Sequence, residues 1–293
     1  MITILIISFY SDKKIKDRIS EIDKKYKIII IENSRNIDLK KEIELKYSNV
    51  KVIIPDQNLG WGKAANQGIK LARTDYVFLT QPDVKLIKNC VNKLEKLISK
   101  VRNEFSVITP IDVGNKIFKN YDILSKKQSL LYEDSDIKEV DFVDLTWLIN
   151  KKKIPNYFWD EKIFLYFEAH DFSKRIRENK GKVFIAKKIF TSHIGSASHE
   201  KQFETFSRLN RNWHYNWSRF YFFRKHFGYF FAIKKIFPIF IKLFCKLFLS
   251  ILSLNNLQYI KLIYKELEGL ICSMLGFSSF YRPYKENILK KII

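Results

Sequence analysis

The chain has 293 residues, 46% of them apolar and 29% charged, and a formal net charge of +22. That length and balance exclude a disordered, collagenous or disulfide-stapled mini-protein and allow one large domain or two smaller ones, each with its own core. The excess of positive charge points to an anionic partner: a membrane surface, nucleic acid or a phosphorylated substrate.

The opening "MITILIISFYSDKK" lacks the basic start and extended apolar core of a signal peptide and reads as a first strand. Three widely spaced cysteines, Cys90, Cys245 and Cys272, follow no metal or disulfide pattern and read as reduced thiols of a cytoplasmic protein. No uncharged apolar run reaches the ~20 residues of a membrane-spanning helix.

In chain order, apolar runs predict buried parallel strands at 2–8, 26–32, 50–54 and 75–80. Helical patterns lie between and after them at Ile15–Lys24, Leu39–Tyr47, Lys63–Ala72 and Val84–Val101. Four strand–helix alternations predict an α/β fold, with ligands at the carboxyl ends of the strands. Those ends carry Ser8 to Tyr10, Glu32 to Ser34, Pro55 to Asn58 and Thr80 to Asp83. Beyond Val101 the alternation loosens. Further strands are expected in 104–110 and 139–150, an acidic loop at Glu133–Glu139, a polar cluster at Tyr157–Ser173 and a strand pair through Val183–Ile194.

"NLGWGKAANQG" (58–68) holds three of the chain's nine glycines around Trp61, which reads as exposed. Gly60 and Gly62 permit a tight turn and close approach of a ligand to the main chain. Asn58 and Asn66 offer donors and acceptors suited to a base or ribose. The stretch is neither a P-loop nor a dinucleotide fingerprint, and taken alone it also reads as a glycine turn capping a helix. The next strand ends in Gln81-Pro82-Asp83, where a carboxylate can be a helix cap or a ligand for a hard divalent cation.

Together these segments resemble the inverting family-2 nucleotide-sugar glycosyltransferases of the GT-A fold, particularly the rhamnosyltransferase-like branch. The carrying pieces are Asn58-x-Gly60-Trp61-Gly62-x-Ala64-x-Asn66-x-Gly68, Gln81-Pro82-Asp83, "IIIIENSRN", "YFWDEKIFLYFEAHDFSKRIRENKGKVF" and "TSHIGSAS", in the family's order over roughly 2–230. The resemblance implies a GT-A-like mixed, mainly parallel central sheet with flanking helices, and transfer of a hexose, such as rhamnose, with inversion from a nucleoside-diphosphate sugar. The implied acceptor is a glycan or lipid-linked precursor in surface polysaccharide synthesis.

By the same resemblance, Ser8, Tyr10, Glu32, Asn33, Asn58, Gly60, Trp61, Gly62, Asn66, Gln81 and Asp83 contact the nucleotide sugar. A divalent cation, Mn²⁺ or Mg²⁺, would sit on Asp83 and His193. The family's catalytic carboxylate falls at Ala169, which cannot take a proton, so the base is sought among Glu168, Asp171 and His170. Gln81 leaves the acidic motif with a single carboxylate. Asp160 and Glu161 are expected to shape the acceptor loop, and Trp147, Tyr157–Trp159 and the 195–216 segment to set acceptor specificity.

The domain boundary is expected at 200/201: a catalytic domain over 1–200 and a basic, aromatic-rich helical extension over 201–293. The extension carries sixteen Lys/Arg against four Glu. On one continuous helix Arg224, Lys235, Lys242 and Lys246 would form a narrow basic stripe, suited to an anionic membrane surface at the inner face of the cell membrane or to an oligomer contact such as a homodimer. No nucleic-acid motif is visible. The rival readings are a catalytically degenerate, nucleotide-binding or membrane-scaffolding relative of these enzymes, and a basic nucleic-acid-binding protein.

Overall fold

The computed structural model describes residues 1–101, 104–114, 119–122, 136–154, 158–193 and 204–282. The chain divides into two compact units: residues 1–160 with 169–200, and residues 161–168 with 201–293.

The first unit is α/β. Its nine-stranded sheet has the order β3-β2-β1-β4-β10-β6-β11-β5, with β8 pairing β11. The strands are β1 (Ile2–Ser8), β2 (Lys27–Glu32), β3 (Val50–Ile53), β4 (Tyr76–Thr80), β5 (Val84–Leu86), β6 (Val107–Asp112), β8 (Ile137–Glu139), β10 (Trp147–Asn150) and β11 (Val183–His193). A separate antiparallel ladder joins β7 (Tyr121–Asp122) to β9 (Phe142–Val143). Strands β1 to β4 are mutually parallel; β10 runs against both β4 and β6, and β11 runs with β6. It follows that β1, β2, β3, β4, β6 and β11 all end at one edge of the sheet.

The sequence pattern accounts for this frame. All seven residues of β1 are buried, as a strand covered on both faces requires. Helices α1 (Asp12–Ser20), α2 (Ile37–Lys46), α3 (Gly60–Leu71) and α4 (Cys90–Lys100) pack apolar stripes such as Ile15/Ile19 and Val91/Leu94/Ile98 into the core. The Asn36 side chain accepts the Leu39 amide at 2.9 Å and caps α2.

Three expectations change. Val84–Leu86 is a strand rather than the start of a helix: Val84 and Leu86 point inward and pair with His193 and Thr191 of β11. Lys88 and Asn89 then turn the chain at positive φ before α4 begins. Val183–His193 is one long strand with a register shift between Ala186 and Phe190, not a pair. Of the supposed acidic loop, Ile137–Glu139 is a strand against β11, and 133–135 lie outside the described residues.

The second unit is helical, with α6 (Glu204–Phe227), α7 (Tyr229–Leu252) and α8 (Leu257–Met274). Its core joins Phe220, Ala232, Ile236, Leu243, Leu267 and Leu270. Gly269 lets α8 approach α6 closely, since a Cβ there would stand 2.2 Å from the Trp213 carbonyl oxygen. The single basic stripe breaks at Gly228, whose φ of 89° separates α6 from α7 and leaves Arg224 on a different helix from Lys235, Lys242 and Lys246. Helix α7 does run through Pro238.

Candidate functional site

The strand-end edge of the first unit gathers Ser8, Glu32, Asn33, Gln81 and Asp83 with Asp112 and His193, which close β6 and β11. Asp144 and Leu145 lie in the turn entering β10 at the same edge. This is the place where α/β sheets bind ligands.

On the β1–β3 side the polar groups hold the protein together. Glu32 is fully buried and accepts the Ser34 hydroxyl, the Ser34 amide at 3.1 Å and the Asn36 amide at 2.7 Å. Asn33 donates to the Gly60 carbonyl at 3.1 Å and accepts the Leu59 amide at 3.2 Å. Asn58 accepts the Gly60 amide at 2.9 Å. Two of the three glycines now have separate reasons. Gly60 sits at φ 76°, a conformation that favours glycine. Gly68 is where α3 lies against β1; an added Cβ would fall 2.2 Å from Leu5. Gly62 is buried within the first turn of α3.

Trp61, expected at the surface, is 8% exposed and meets Trp147 at 4.9 Å and Trp159 at 4.6 Å between ring centroids. Phe172 stacks on Trp159 at 4.0 Å. Asn66 fixes the cluster by donating to the Trp159 carbonyl and accepting its amide, both at 2.9 Å. Trp147 and Trp159 are therefore core residues rather than an open acceptor lining; Tyr157 lies outside the described residues. Ser8 is buried, and its hydroxyl has no partner among the described residues. Tyr10 stands at φ 49°, its amide donating to Ser34 Oγ at 3.2 Å; burial and the Glu32 charge raise its pKa.

The β4–β11 side differs in kind. The Asp83 carboxylate lies 3.3 Å from His193 Nε2, and Asp112 Oδ1 accepts the His193 amide at 2.7 Å. The second oxygens of both carboxylates, Asp83 Oδ1 and Asp112 Oδ2, are buried without a partner among the described residues. The hydrogen bond to Asp83 raises the His193 pKa against the opposing effect of burial, with Asp112 and Asp144 adding to the rise. Desolvation raises that of Asp144, which takes the Leu145 amide at 2.7 Å. Gln81 donates to the Leu145 carbonyl at 3.3 Å and so holds this turn. Gly114 packs on the His193 backbone, where a Cβ would meet its amide nitrogen at 2.5 Å. Sequence reasoning passed over Asp112, Asp144 and Gly114; the only sequence signal was an acid closing a strand that fell in the loosened pattern.

Two buried carboxylate oxygens left unpaired beside an imidazole suit a divalent cation that accepts both oxygen and nitrogen. Among the described residues no three His, Cys, Asp or Glu side chains converge as a complete ligand set. Any cation there would need further oxygens from its substrate or water. A separate open cavity of about 410 Å³ beside Lys25 and Asn92 lies at the opposite edge of the sheet, where Lys25 precedes β2.

Helix α5 (Glu168–Glu178) carries the three candidate bases. Ala169 is buried, and Asp171 is buried with its Oδ2 accepting Arg175 Nε at 2.8 Å. Arg175 also donates to the Phe158 carbonyl, so Asp171 braces the Trp159 segment. His170 is exposed, with its ring tilted over Phe142 at 4.4 Å, and partial desolvation lowers its pKa.

Glu168 follows two consecutive left-handed residues, Tyr166 (φ 66°) and Phe167 (φ 64°). Such torsions cost side-chain-bearing residues about 1–2 kcal/mol each. Within the second unit, Ser218 Oγ donates to the Leu165 carbonyl at 2.8 Å, while the Tyr215 ring meets Tyr166 and Phe167 and Phe222 meets Phe167. Helix α6 thus holds the strained turn that leads into Glu168, a role the sequence pattern did not reveal.

The glycosyl transferase family 2 profile matches residues 3–227. No curated protein is similar enough in sequence to count as a relative. Among solved structures, a mannosyltransferase from Pyrobaculum calidifontis in complex with GDP-Man and Mn²⁺ is similar at TM-score 0.56 and 6% identity, covering 93% of this chain and 86% of its own. Residues 1–349 of TarS from S. aureus in complex with UDP-GlcNAc are similar at TM-score 0.53 and 15% identity, covering 96% and 93%. GalNAc-T7 with UDP, GalNAc and Mn²⁺ is similar at TM-score 0.53 and 14% identity over 73% of this chain, which spans about half (51%) of that structure. At these identities the likeness is one of fold: a mixed, mainly parallel GT-A sheet with flanking helices.

Proposed function

Because the chain belongs to glycosyl transferase family 2, we propose that it transfers a hexose, with inversion, from a nucleoside-diphosphate sugar to a glycan or lipid-linked acceptor in surface polysaccharide synthesis. Rhamnose is the donor sugar we favour, on the motif resemblance. The observation that carries the reading is the strand-end edge itself, where Asp83 lies against the His193 ring, Asp112 takes the His193 backbone amide, and each carboxylate keeps one buried oxygen without a partner among the described residues. The similar structures holding GDP-Man or UDP with Mn²⁺ support a nucleotide donor and a cation.

Asp83 and His193 would hold Mn²⁺ or Mg²⁺, which when bound offsets the negative charge of the departing nucleoside diphosphate. The protein's own part on the donor side is a preformed shape. The Glu32–Ser34 and Asn33–Gly60 bonds set the loops around Ser8, Tyr10 and Asn58, against which base and ribose would lie.

Displacement at the anomeric carbon needs a base for the acceptor hydroxyl. Asp171 is withdrawn from that role by burial and by Arg175. We assign the base to Glu168, delivered by the strained Tyr166–Phe167 turn, in place of the carboxylate missing at Ala169. His170 is the alternative. In this reading Trp61 and Asn66 act by building the site rather than by touching substrate, and the protein works at the inner face of the cell membrane.

Release of nucleoside diphosphate across UDP-, dTDP- and GDP-sugars, with Mn²⁺ or Mg²⁺, tests the function. Glu168→Gln is expected to lower kcat by ~10²–10⁴-fold while donor binding stays within about twofold. Unchanged turnover in that variant moves the base elsewhere. Nucleotide binding without turnover in the wild type favours the degenerate reading, which Ala169 and Gln81 would then explain.

A further inference from the structure

Helix α7 presents three faces. At 100° per residue, Ala232, Ile236, Leu243 and Ser250 fall together and are buried. On the far side Phe230, Phe237, Ile241, Phe244, Phe248 and Leu252 form a second line, exposed by 43% to 87%. From Phe230 to Leu252 that line rises about 33 Å along the helix. Lys234 falls at the edge of that line and is exposed, and Lys235 and Lys242 stand exposed farther round the same side, joined by half-buried Lys246 over the Tyr259 ring at 5.3 Å. Beyond the helix, Leu254 (91%) and Leu257 (82%) carry the apolar surface through the turn into α8.

A line of four phenylalanines and two aliphatics in water calls for an occupant. Between residues 205 and 265 the sequence has eleven Lys or Arg and no Asp or Glu. A second copy of α7 laid on this face would set lysine borders together with no carboxylate on either helix to offset them. An anionic bilayer surface meets both demands, since acyl chains take the rings and headgroup phosphates take the ammonium groups. Among the described residues no helix is long and apolar enough to cross a membrane, so the geometry is that of a helix lying in the interface.

We propose that α7 docks the protein on anionic membrane, with Phe230, Phe237, Phe244 and Phe248 entering the acyl boundary and Lys235 and Lys242 meeting the headgroups. The inference rests on exposure and charge in the second unit and stands whether or not the sugar-transfer reading does.

The full chain, incubated with sedimenting vesicles of phosphatidylcholine alone or with 30 mol% phosphatidylglycerol (a composition of about one third anionic lipid), gives the readout. Expected is at least ~10-fold tighter binding to the anionic vesicles, weakened by added salt. Phe237→Ser/Phe244→Ser/Phe248→Ser should lose most of the binding, and Lys235→Glu/Lys242→Glu should lose the preference for anionic lipid. Both sets are exposed and outside the proposed site, so nucleotide binding should be retained and serves as the check on folding. Absence of binding by the wild-type chain to either vesicle overturns the proposal. So does a wild-type dimer in sedimentation velocity that the triple variant converts to monomer, because the occupant is then a second copy.

Discussion

The two halves of the strand-end edge use the same kinds of residue for opposite purposes. Around β1–β3, Glu32, Asn33 and Asn58 spend their polar atoms on neighbouring backbone, closing the loops that precede α2 and α3. Around β4–β11, Asp83 and Asp112 each keep one buried carboxylate oxygen with no partner among the described residues. Burying an unpaired carboxylate oxygen is costly and calls for a partner, whether water, an ion or a ligand. A polar residue at a strand end is therefore not one category: some build the cleft, and some are left for what enters it.

That contrast breaks most visibly at Asp83. Replacing it by Asn keeps the volume but removes the charge, so sugar transfer is expected to fall ~10²–10³-fold with thermal stability little changed. Titrating Mn²⁺ against turnover in wild type and variant checks the assignment. A variant that keeps wild-type turnover and metal dependence places Asp83 with the builders and ends the distinction.

Asn33 makes the complementary case. Asn33→Ala strands the Gly60 carbonyl and the Leu59 amide, which should cost about 1–3 kcal/mol. The denaturant midpoint of unfolding should drop accordingly, while turnover per folded molecule stays within a fewfold. A large rise in donor KM at unchanged stability would show that the amide reaches the ligand after all.

The frame was legible because its signals are local. Buried parallel strands read as unbroken Ile/Val runs, and β1 matches its expected span of 2–8 to the residue. The builders were not distinguishable from the binders, because a polar side chain in a loop offers the same groups to protein or ligand, and only the fold brings Trp159, 93 residues away, to Asn66. Trp61 looked exposed for the same reason, its partners Trp147 and Trp159 being remote in sequence. Asp112 was hidden by the register of β6 against β11, which no periodicity encodes. Helix α7 fell between these cases: its line of phenylalanines is visible at 100° spacing, whereas the break at Gly228 is a torsional fact.

The smallest effect tests whether an unpaired buried atom suffices to mark a site. His214, in the second unit, is fully buried, with Nδ1 lacking a partner among the described residues, much like Asp83 Oδ1. Its Nε2 lies 2.9 Å from the Tyr281 carbonyl and 3.4 Å from Arg282 Nη1. Burial, reinforced by the Arg282 charge, pushes its pKa down to about 3. An unfolded histidine gains its proton near pH ~6.5, so between ~6.5 and about 3 the unfolded state binds the extra proton. Stability must then be undiminished by this group above ~6.5 and fall as the pH drops, by at most about 1.4 kcal/mol per pH unit. His214→Asn removes the titration: the variant starts less stable at pH 7 through lost packing, but its denaturant midpoint should decline less steeply from pH 7 to 5 than that of the wild type. Transfer activity at pH 7, per folded molecule, should not move. An unchanged acid slope with lost activity would make His214 a site residue, and an unpaired atom alone would then be enough. The flatter slope with intact activity instead ties the ligand role to a carboxylate set against an imidazole at the strand ends, as Asp83 is against His193.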